Sequence, residues 1–91
     1  MSDLHTTETH FEFPCEFPIK VMGKNQPEFE ATVLAIVRKH VPDLGEGAVK
    51  TRPSKGDKWL SVTITFTARS KAQLDALYLE LNGCDQVVMT L

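Results

Sequence analysis

Histidine and cysteine side chains, the residues best suited to bind a metal ion, are few in this chain. His5, His10 and Cys15 occur near its start, and imidazole and thiolate are ligands that zinc accepts. Residues 1–10 are polar, however, and are predicted to form a disordered tail. These ligands therefore have no rigid framework, and the sequence predicts neither a metal site nor a bound cofactor.

Two residues could support acid–base catalysis, His40 and Lys55. His40 falls in the last turn of a predicted helix, where the helix dipole favours a cationic side chain. Lys55 lies in Ser54-Lys55-Gly56, whose backbone N–H groups could hold an anion, although a turn that uses the conformational freedom of Gly56 explains the motif equally well. A small enzyme that uses His40 or Lys55 is therefore kept as an alternative, and the preferred interpretation is a protein without catalytic activity.

A turn before the first predicted helix is the best candidate for binding a small ligand. It contains Gly23, Lys24, Asn25 and Gln26, with Asn25 or Gln26 expected at the helix cap and Pro27 in the first turn. The N–H groups at a helix N-terminus attract anions, and Lys24 adds a positive charge. These four residues are predicted to bind a small anion such as a carboxylate.

Nucleic-acid binding is a further alternative, through a mild basic patch of Lys20, Lys50 and Arg52. The net charge of the chain is −2, which gives no general attraction to phosphates. RNA-binding sheets of the topology inferred below stack bases on aromatic side chains of their central strands. The outward positions of those strands lack aromatic residues except at Trp59, so no specific nucleic-acid binding is expected.

The strongest structural pattern is the alternation over Trp59–Arg69. Apolar and hydroxyl side chains alternate along the whole segment, which is typical of a strand with one buried and one solvated face. The buried face is predicted to contain Leu60, Val62, Ile64, Phe66 and Ala68, and the other face Ser61, Thr63, Thr65 and Thr67.

Three further strands and two helices complete the predicted order β-α-β-β-α-β, the ferredoxin-like arrangement. Right-handed crossovers give an antiparallel sheet of order 4-1-3-2 with both helices on one face, an α+β fold. Residues 11–91 are expected to form this single domain. The other predicted strands are Phe17–Met22, Ala48–Pro53 and Gln86–Leu91; one helix follows Pro27 and ends at His40, and the other lies between Ser70 and Gly83.

The fourth predicted strand is an unprotected sheet edge. Val87, Val88, Met89 and Thr90 carry no charge, and alternation places Val87, Met89 and Leu91 on one face and Val88 on the other. Exposed edges are normally guarded by charge, proline or a bulge. Either the segment 11–17 covers this edge, or the edge pairs with a second copy or a protein partner by strand addition. The second explanation is preferred because Pro14 and Pro18 deprive segment 11–17 of ladder donors.

Composition sets the broad class of the protein. Ninety-one residues with 42% hydrophobic content are enough for one small globular core. No apolar run approaches the length of a membrane span, and the start lacks the apolar core of a signal peptide. Two cysteines far apart do not form a disulfide framework. A soluble cytoplasmic protein that does not bind membranes is expected.

Several short motifs are shared with a known group of proteins. They are Phe13-Pro14, Lys20-Val21-Met22-Gly23, Ser54-Lys55-Gly56, Ser61-Val62-Thr63-Ile64, and Tyr78 with Glu80-Leu81. From Phe13 onward the chain resembles the YbeD-like family of small uncharacterised bacterial proteins. That resemblance implies a fold like the ACT-type regulatory domain of phosphoglycerate dehydrogenase and implies no catalytic residues. The preferred hypothesis is a non-enzymatic regulatory or interaction module.

Overall fold

Two helices cover one face of a four-stranded antiparallel sheet in the computed structural model, which describes residues 12–91. Along the sheet, the strands follow the predicted order 4-1-3-2, so the ferredoxin-like prediction is confirmed. The predicted disordered tail lies outside the described residues. The elements are β1 (Cys15–Lys24), α1 (Phe29–His40), β2 (Val49–Pro53), β3 (Trp59–Ala68), α2 (Lys71–Asn82) and β4 (Val87–Thr90), with short 3₁₀ turns at Glu46–Ala48 and Lys55–Asp57.

The alternation in β3 determines which side of the sheet packs against the helices. Val62, Ile64, Phe66 and Ala68 are buried and Leu60 is partly buried, whereas the hydroxyl side chains between them are partly or fully exposed. Both helices place an apolar stripe on this buried face. No polar or charged residue among those described is buried. The core contains Ile19, Val21, Phe29, Val33, Ile36, Val37, Val41, Val62, Ile64, Phe66, Ala68, Leu74, Leu77 and Leu81.

The first strand is longer than predicted. β1 begins at Cys15 rather than Phe17 and continues to Lys24 rather than Met22, and it pairs with β3 over its full length. Pro18 is tolerated because its backbone nitrogen faces the side of β1 on which β4 lies, and β4 ends before it reaches Pro18. No strand therefore needs a hydrogen bond from this position. The last bond between those two strands joins Lys20 to Leu91. The described part of segment 11–17 therefore does not cover β4, contrary to the first of the two explanations for its bare edge.

The first helix begins later than predicted. Its N-cap is Glu28, without a side-chain cap hydrogen bond, rather than Asn25 or Gln26. Asn25 is held elsewhere: its backbone N–H donates to the Lys58 carbonyl at 3.0 Å, and its side-chain amide donates to the Asp57 carbonyl at 3.1 Å. These two hydrogen bonds tie the loop to the β2–β3 hairpin. Asn25 is therefore bound to residues distant in sequence and does not cap the helix that follows it.

An irregularity in the pairing of β1 with β4 changes which side chains of β4 are exposed. Val87 lies opposite Gly23 and Met89 lies opposite Met22, with a register shift between them. Val87 consequently packs against the core while Met89 lies on the other face of the sheet, so the prediction that they share a face is wrong. The extra residue of the bulge, Val88, is 62% exposed.

Candidate functional site

A cleft of about 300 Å³ lies where the end of β1, the start of β3 and the start of β4 meet. We call it the β1–β4 cleft. It brings part of the predicted ligand-binding turn beside part of the predicted interaction edge, because β1 ends next to the position where β4 begins. Its lining residues are Lys24, Gln26, Trp59, Asp85, Gln86 and Val88.

Gly23 lies beneath this cleft rather than in its wall. It is buried in β1, and a Cβ atom built at this position would lie 2.3 Å from the carbonyl oxygen of Gln86 and 2.4 Å from Cε1 of Phe29. No real Cβ tolerates such contacts, so the absence of a side chain allows the Phe29 ring and the α2–β4 connection to approach the strand. In this structure, Gly23 shapes the cleft from below.

Asn25 and Gln26, two other members of the predicted ligand-binding turn, have different roles in the structure. Asn25 is used to hold the hairpin, as described above, and does not line the cleft. Gln26 lines the cleft, and its backbone carbonyl accepts a hydrogen bond from the N–H of Phe29 at 3.1 Å. The N-terminus of α1 also carries the acidic Glu28 and Glu30, which oppose an anion there. Lys24 is therefore the cationic side chain in the wall of the cleft that could attract a carboxylate, and the Lys58 ammonium lies 5.8 Å from the ring centroid of Trp59, another wall residue.

The cleft also contains acceptors, which the sequence pattern did not single out. Asp85 is exposed, and Gln86 is half-buried. The Oε1 atom of Gln86 is buried and has no hydrogen-bond partner among the described residues, while its Nε2 atom donates to Oγ1 of Thr32 at 3.4 Å. A ligand with both a carboxylate and an N–H or O–H donor would complement Lys24 on one side and the exposed Asp85 carboxylate on the other.

The predicted interaction edge is exposed only in part. Val88 and Met89 are 62% and 47% exposed, and Leu91, just beyond β4, is 62% exposed. Val87 packs against the core, and Oγ1 of Thr90 is buried without a hydrogen-bond partner in the described chain. β4 is last in the strand order, so within residues 12–91 nothing pairs with its outer side.

The face of the sheet opposite the helices, which we call the open face, collects the predicted basic patch. Thr63 of β3 lies between Lys20 of β1 and Lys50 of β2. Arg52 lies beside Ser61 in the next row of this face, and Ser61 lies beside Met22. The patch is therefore formed as predicted from the sequence. The sequence did not reveal that Met22, Trp59, Val88 and Met89 form an apolar pocket at one end of it.

The two candidate catalytic residues lie at opposite ends of the sheet. Lys55 lies in the hairpin that leads into β3, at the end of the sheet where Trp59 pairs with Lys24. The helix α1 starts near that same end and runs to the opposite one, where His40 ends it. The Nε2 atom of His40 is 2.8 Å from Oε1 of Glu80, and Lys39 also contacts that carboxylate. His40 thus links the two helices.

The hairpin motif that contains Lys55 behaves as a turn. Gly56 has φ +85° and Asp57 has φ +58°, and Oγ of Ser54 accepts a hydrogen bond from the backbone N–H of Trp59 at 3.0 Å. The left-handed conformation at Gly56 accounts for the glycine. This agrees with the structural explanation of Ser54-Lys55-Gly56 given above.

Between residues 12 and 91, no three histidine, cysteine, aspartate or glutamate residues lie together in a way that could hold a metal ion; His5 and His10 lie outside this range. None of the helices described is both long and apolar enough to span a bilayer.

Comparisons with known proteins give one family and one fold. Residues 8–91 match the family described as "Protein of unknown function (DUF493)". A UPF0250 protein of Chromobacterium violaceum is 48% identical over 81 residues, which cover 89% of this chain and 91% of the relative. Another, from Bordetella pertussis, is 42% identical over 91 residues, the full length of both chains.

Solved structures match the fold at low sequence identity. Protein HP0495 from H. pylori aligns with a TM-score of 0.68 at 17% identity, over 89% of this chain and 85% of that one. The ACT domain from GTP pyrophosphokinase of Chlorobium tepidum aligns with a TM-score of 0.63 at 13% identity, over 84% of each chain. These likenesses show that the chain has an ACT-like fold.

Proposed function

Because the chain belongs to the DUF493 family, whose function is unknown, we propose its role from its own surface: it is a regulatory or interaction module without catalytic activity. In this proposal it pairs with a second copy along β4 and binds a small carboxylate in the β1–β4 cleft. The observation that carries the proposal is that Val88 belongs to both the exposed edge and the wall of the cleft. A ligand in the cleft would therefore contact a residue that also takes part in pairing.

The two outer strands of the sheet differ in a way that supports pairing along β4. β2 carries Lys50, Arg52 and Pro53, devices that discourage strand addition. β4 has no charged residue, and Val88 is exposed on it. The bulge at Val88 is the one such feature of β4, and the case for pairing therefore rests on the missing charge and proline and on the exposed apolar side chains. Pairing there would bury apolar side chains that are otherwise exposed to water.

The choice of ligand follows from the groups around the cleft. Lys24 is exposed and forms no ion pair with another described residue, so it is available for a carboxylate. The exposed carboxylate of Asp85, in the wall of the same cleft, accepts hydrogen bonds. We therefore expect a small molecule with one carboxylate and an amino or hydroxyl donor on the same short skeleton.

Self-association is tested by sedimentation over a range of concentrations up to millimolar. The wild-type chain should form a dimer as its concentration rises, and Val88→Lys should weaken the dimer because a charge would be buried at the edge. Leu79→Lys is the matched control, since Leu79 is also exposed, at 77%, but lies on α2. A wild-type chain that remains monomeric at millimolar concentration would remove the pairing half of the proposal.

Ligand binding is tested separately with a thermal-shift screen of small carboxylates. Compounds that stabilise the wild-type chain should lose their effect on Lys24→Glu, whose own melting temperature should be nearly unchanged because Lys24 is exposed. Lys55→Glu makes the same charge change in the neighbouring hairpin, outside the cleft. The compounds should still stabilise this variant as they stabilise the wild-type chain. Hits that ignore Lys24→Glu would place the ligand elsewhere.

A further inference from the structure

The open face of the sheet has an apolar pocket at one end. Its volume is about 170 Å³, and its walls are Met22, Trp59, Val88 and Met89. An engineered apolar cavity of about 150 Å³ is large enough to bind benzene, so this pocket is large enough for one large apolar side chain. Met22 and Trp59 are partly buried, and flexible methionine walls adapt to the shape of an inserted group.

Positive charges extend from this pocket across the same face. Lys20 and Lys50 lie on either side of Thr63, Arg52 lies in the row that contains Met22, and Lys24 lies opposite Trp59. None of these four cations takes part in an ion pair with the residues described. Among the strand residues that point to this side, Glu16 alone is acidic. The concentration of positive charge is local, since the whole chain has a net charge of −2.

We propose that the open face binds an acidic segment of another protein, which inserts a large apolar side chain into the pocket and places its carboxylates over the basic rows. The distance from the row of Trp59 to that of Thr63 is four residues, about 13 Å at ~3.3 Å per residue. A helix of about nine residues, or an extended segment of about four, spans it. This proposal concerns the face of the sheet and rests on neither the pairing of β4 nor the ligand of the β1–β4 cleft.

The observations favour this occupant over three others. A second copy docked face to face would oppose cation with cation, which is destabilising. A bilayer would require a broad apolar surface, whereas the rows of this face beyond the pocket carry the hydroxyl side chains of Ser61, Thr63 and Thr65. Single-stranded nucleic acid would require a row of aromatic side chains for stacking, and Trp59 is the only aromatic residue pointing to this side from the described strands.

The experiment begins with random peptides of about 12 residues, longer than the ~9 helical residues needed above, displayed on phage and selected on the full chain. We expect the selected sequences to combine Asp or Glu with Leu, Ile, Phe or Met. The best peptide is then synthesised and titrated while the fluorescence of Trp59, the single tryptophan of the chain, is recorded. Binding should shift its emission to the blue as the pocket is filled, and affinity should fall as salt is raised.

Two arginine variants provide the matched comparison. Arg52→Glu should weaken the peptide about fivefold or more, because an attraction at the rim becomes a repulsion. Arg38→Glu makes the same change on the exposed side of α1, in the other layer of the fold, and should leave affinity within about twofold. Met22→Ser should also weaken binding, since it removes part of the pocket wall. Far-UV circular dichroism checks that each variant is folded, and Lys50→Glu replaces Arg52→Glu if that variant is not.

Several results would overturn the proposal. One is a selection that enriches neutral or basic peptides, or no peptide at all. Another is a selected peptide that binds the wild-type chain and Arg52→Glu with equal affinity. Anionic vesicles and a single-stranded oligonucleotide are titrated in parallel at physiological ionic strength. If either changes Trp59 fluorescence at a lower concentration than the selected peptide does, the open face serves a membrane or nucleic acid instead.

Discussion

Replacing Gly23 by alanine is expected to destabilise the fold by about 3 kcal/mol, the upper part of the range for overpacking. The added methyl group would lie 2.3 Å from a backbone oxygen of Gln86 and 2.4 and 2.6 Å from two ring atoms of Phe29. Neither neighbour has a flexible end that can move away, because Phe29 is fully buried in the core and the oxygen belongs to the connection that leads into β4. The strain must therefore displace α1, β4 or both.

Thermal and denaturant unfolding measure this effect. In a domain of this size 1 kcal/mol corresponds to about 4–8 °C, so Gly23→Ala should lower the melting temperature by roughly 12–24 °C. Gly83→Ala is the matched control, because its methyl group would meet atoms no closer than 3.5 Å and its φ of −84° suits any residue. That variant should stay within about 0.5 kcal/mol of wild type. Equal stability of the two variants would refute the assigned packing around Gly23.

Three further predictions concern the helices and the thiols. Ser70→Ala should cost about 1 kcal/mol in urea unfolding, because the Ser70 side chain caps α2 at 3.1 Å. The hydrogen bond with Lys39 is the chief cause that lowers the pKa of Glu80 from 4.5. The ionised carboxylate should therefore stabilise the fold above pH 4.5, and this stabilisation should vanish as the pH falls through the lowered pKa. In urea unfolding midpoints measured against pH, Glu80→Gln should lose less stability in acid than the wild-type chain does. Cys15 begins β1, whereas Cys84 precedes β4, whose Val87 pairs with Gly23 near the other end of β1. The two thiols are therefore roughly 25 Å apart by strand rise. Mass spectrometry without reduction should find both free, and an intramolecular bond between them would contradict the topology.

The features that sequence predicted well are those determined by local periodicity. Alternation in β3 is strict because one face of that strand is buried against both helices, and it located the central strand correctly. The Ser70 cap and the apolar stripe of α2 are likewise contained in neighbouring residues. Strand order then followed from the handedness of the two crossovers.

The features that sequence missed depend on contacts between distant residues. Asn25 has the side chain of a good N-cap, yet it bonds to carbonyls more than 30 positions away in the hairpin, so α1 starts later. The bulge opposite Gly23 separates Val87 from Met89, and no residue pattern within β4 reveals it. The β1–β4 cleft combines residues from three segments that are distant in sequence, which is why Asp85 and Gln86 were not recognised as part of its wall.

Amide hydrogen exchange at Thr90, measured at low and at millimolar concentration, tests the proposed pairing most directly. The backbone N–H of Leu91 donates to the Lys20 carbonyl at 2.8 Å, and the N–H of Lys20 donates to the Leu91 carbonyl at 3.1 Å. Because N–H groups alternate in direction along an antiparallel strand, the N–H of the preceding Thr90 points away from β1 toward the free edge. If β4 pairs with a second copy, exchange at Thr90 should slow markedly as concentration rises and should remain fast in Val88→Lys. The amide of Leu91 serves as an internal control, protected at both concentrations. Fast exchange at Thr90 in the wild-type chain at millimolar concentration would contradict pairing along β4.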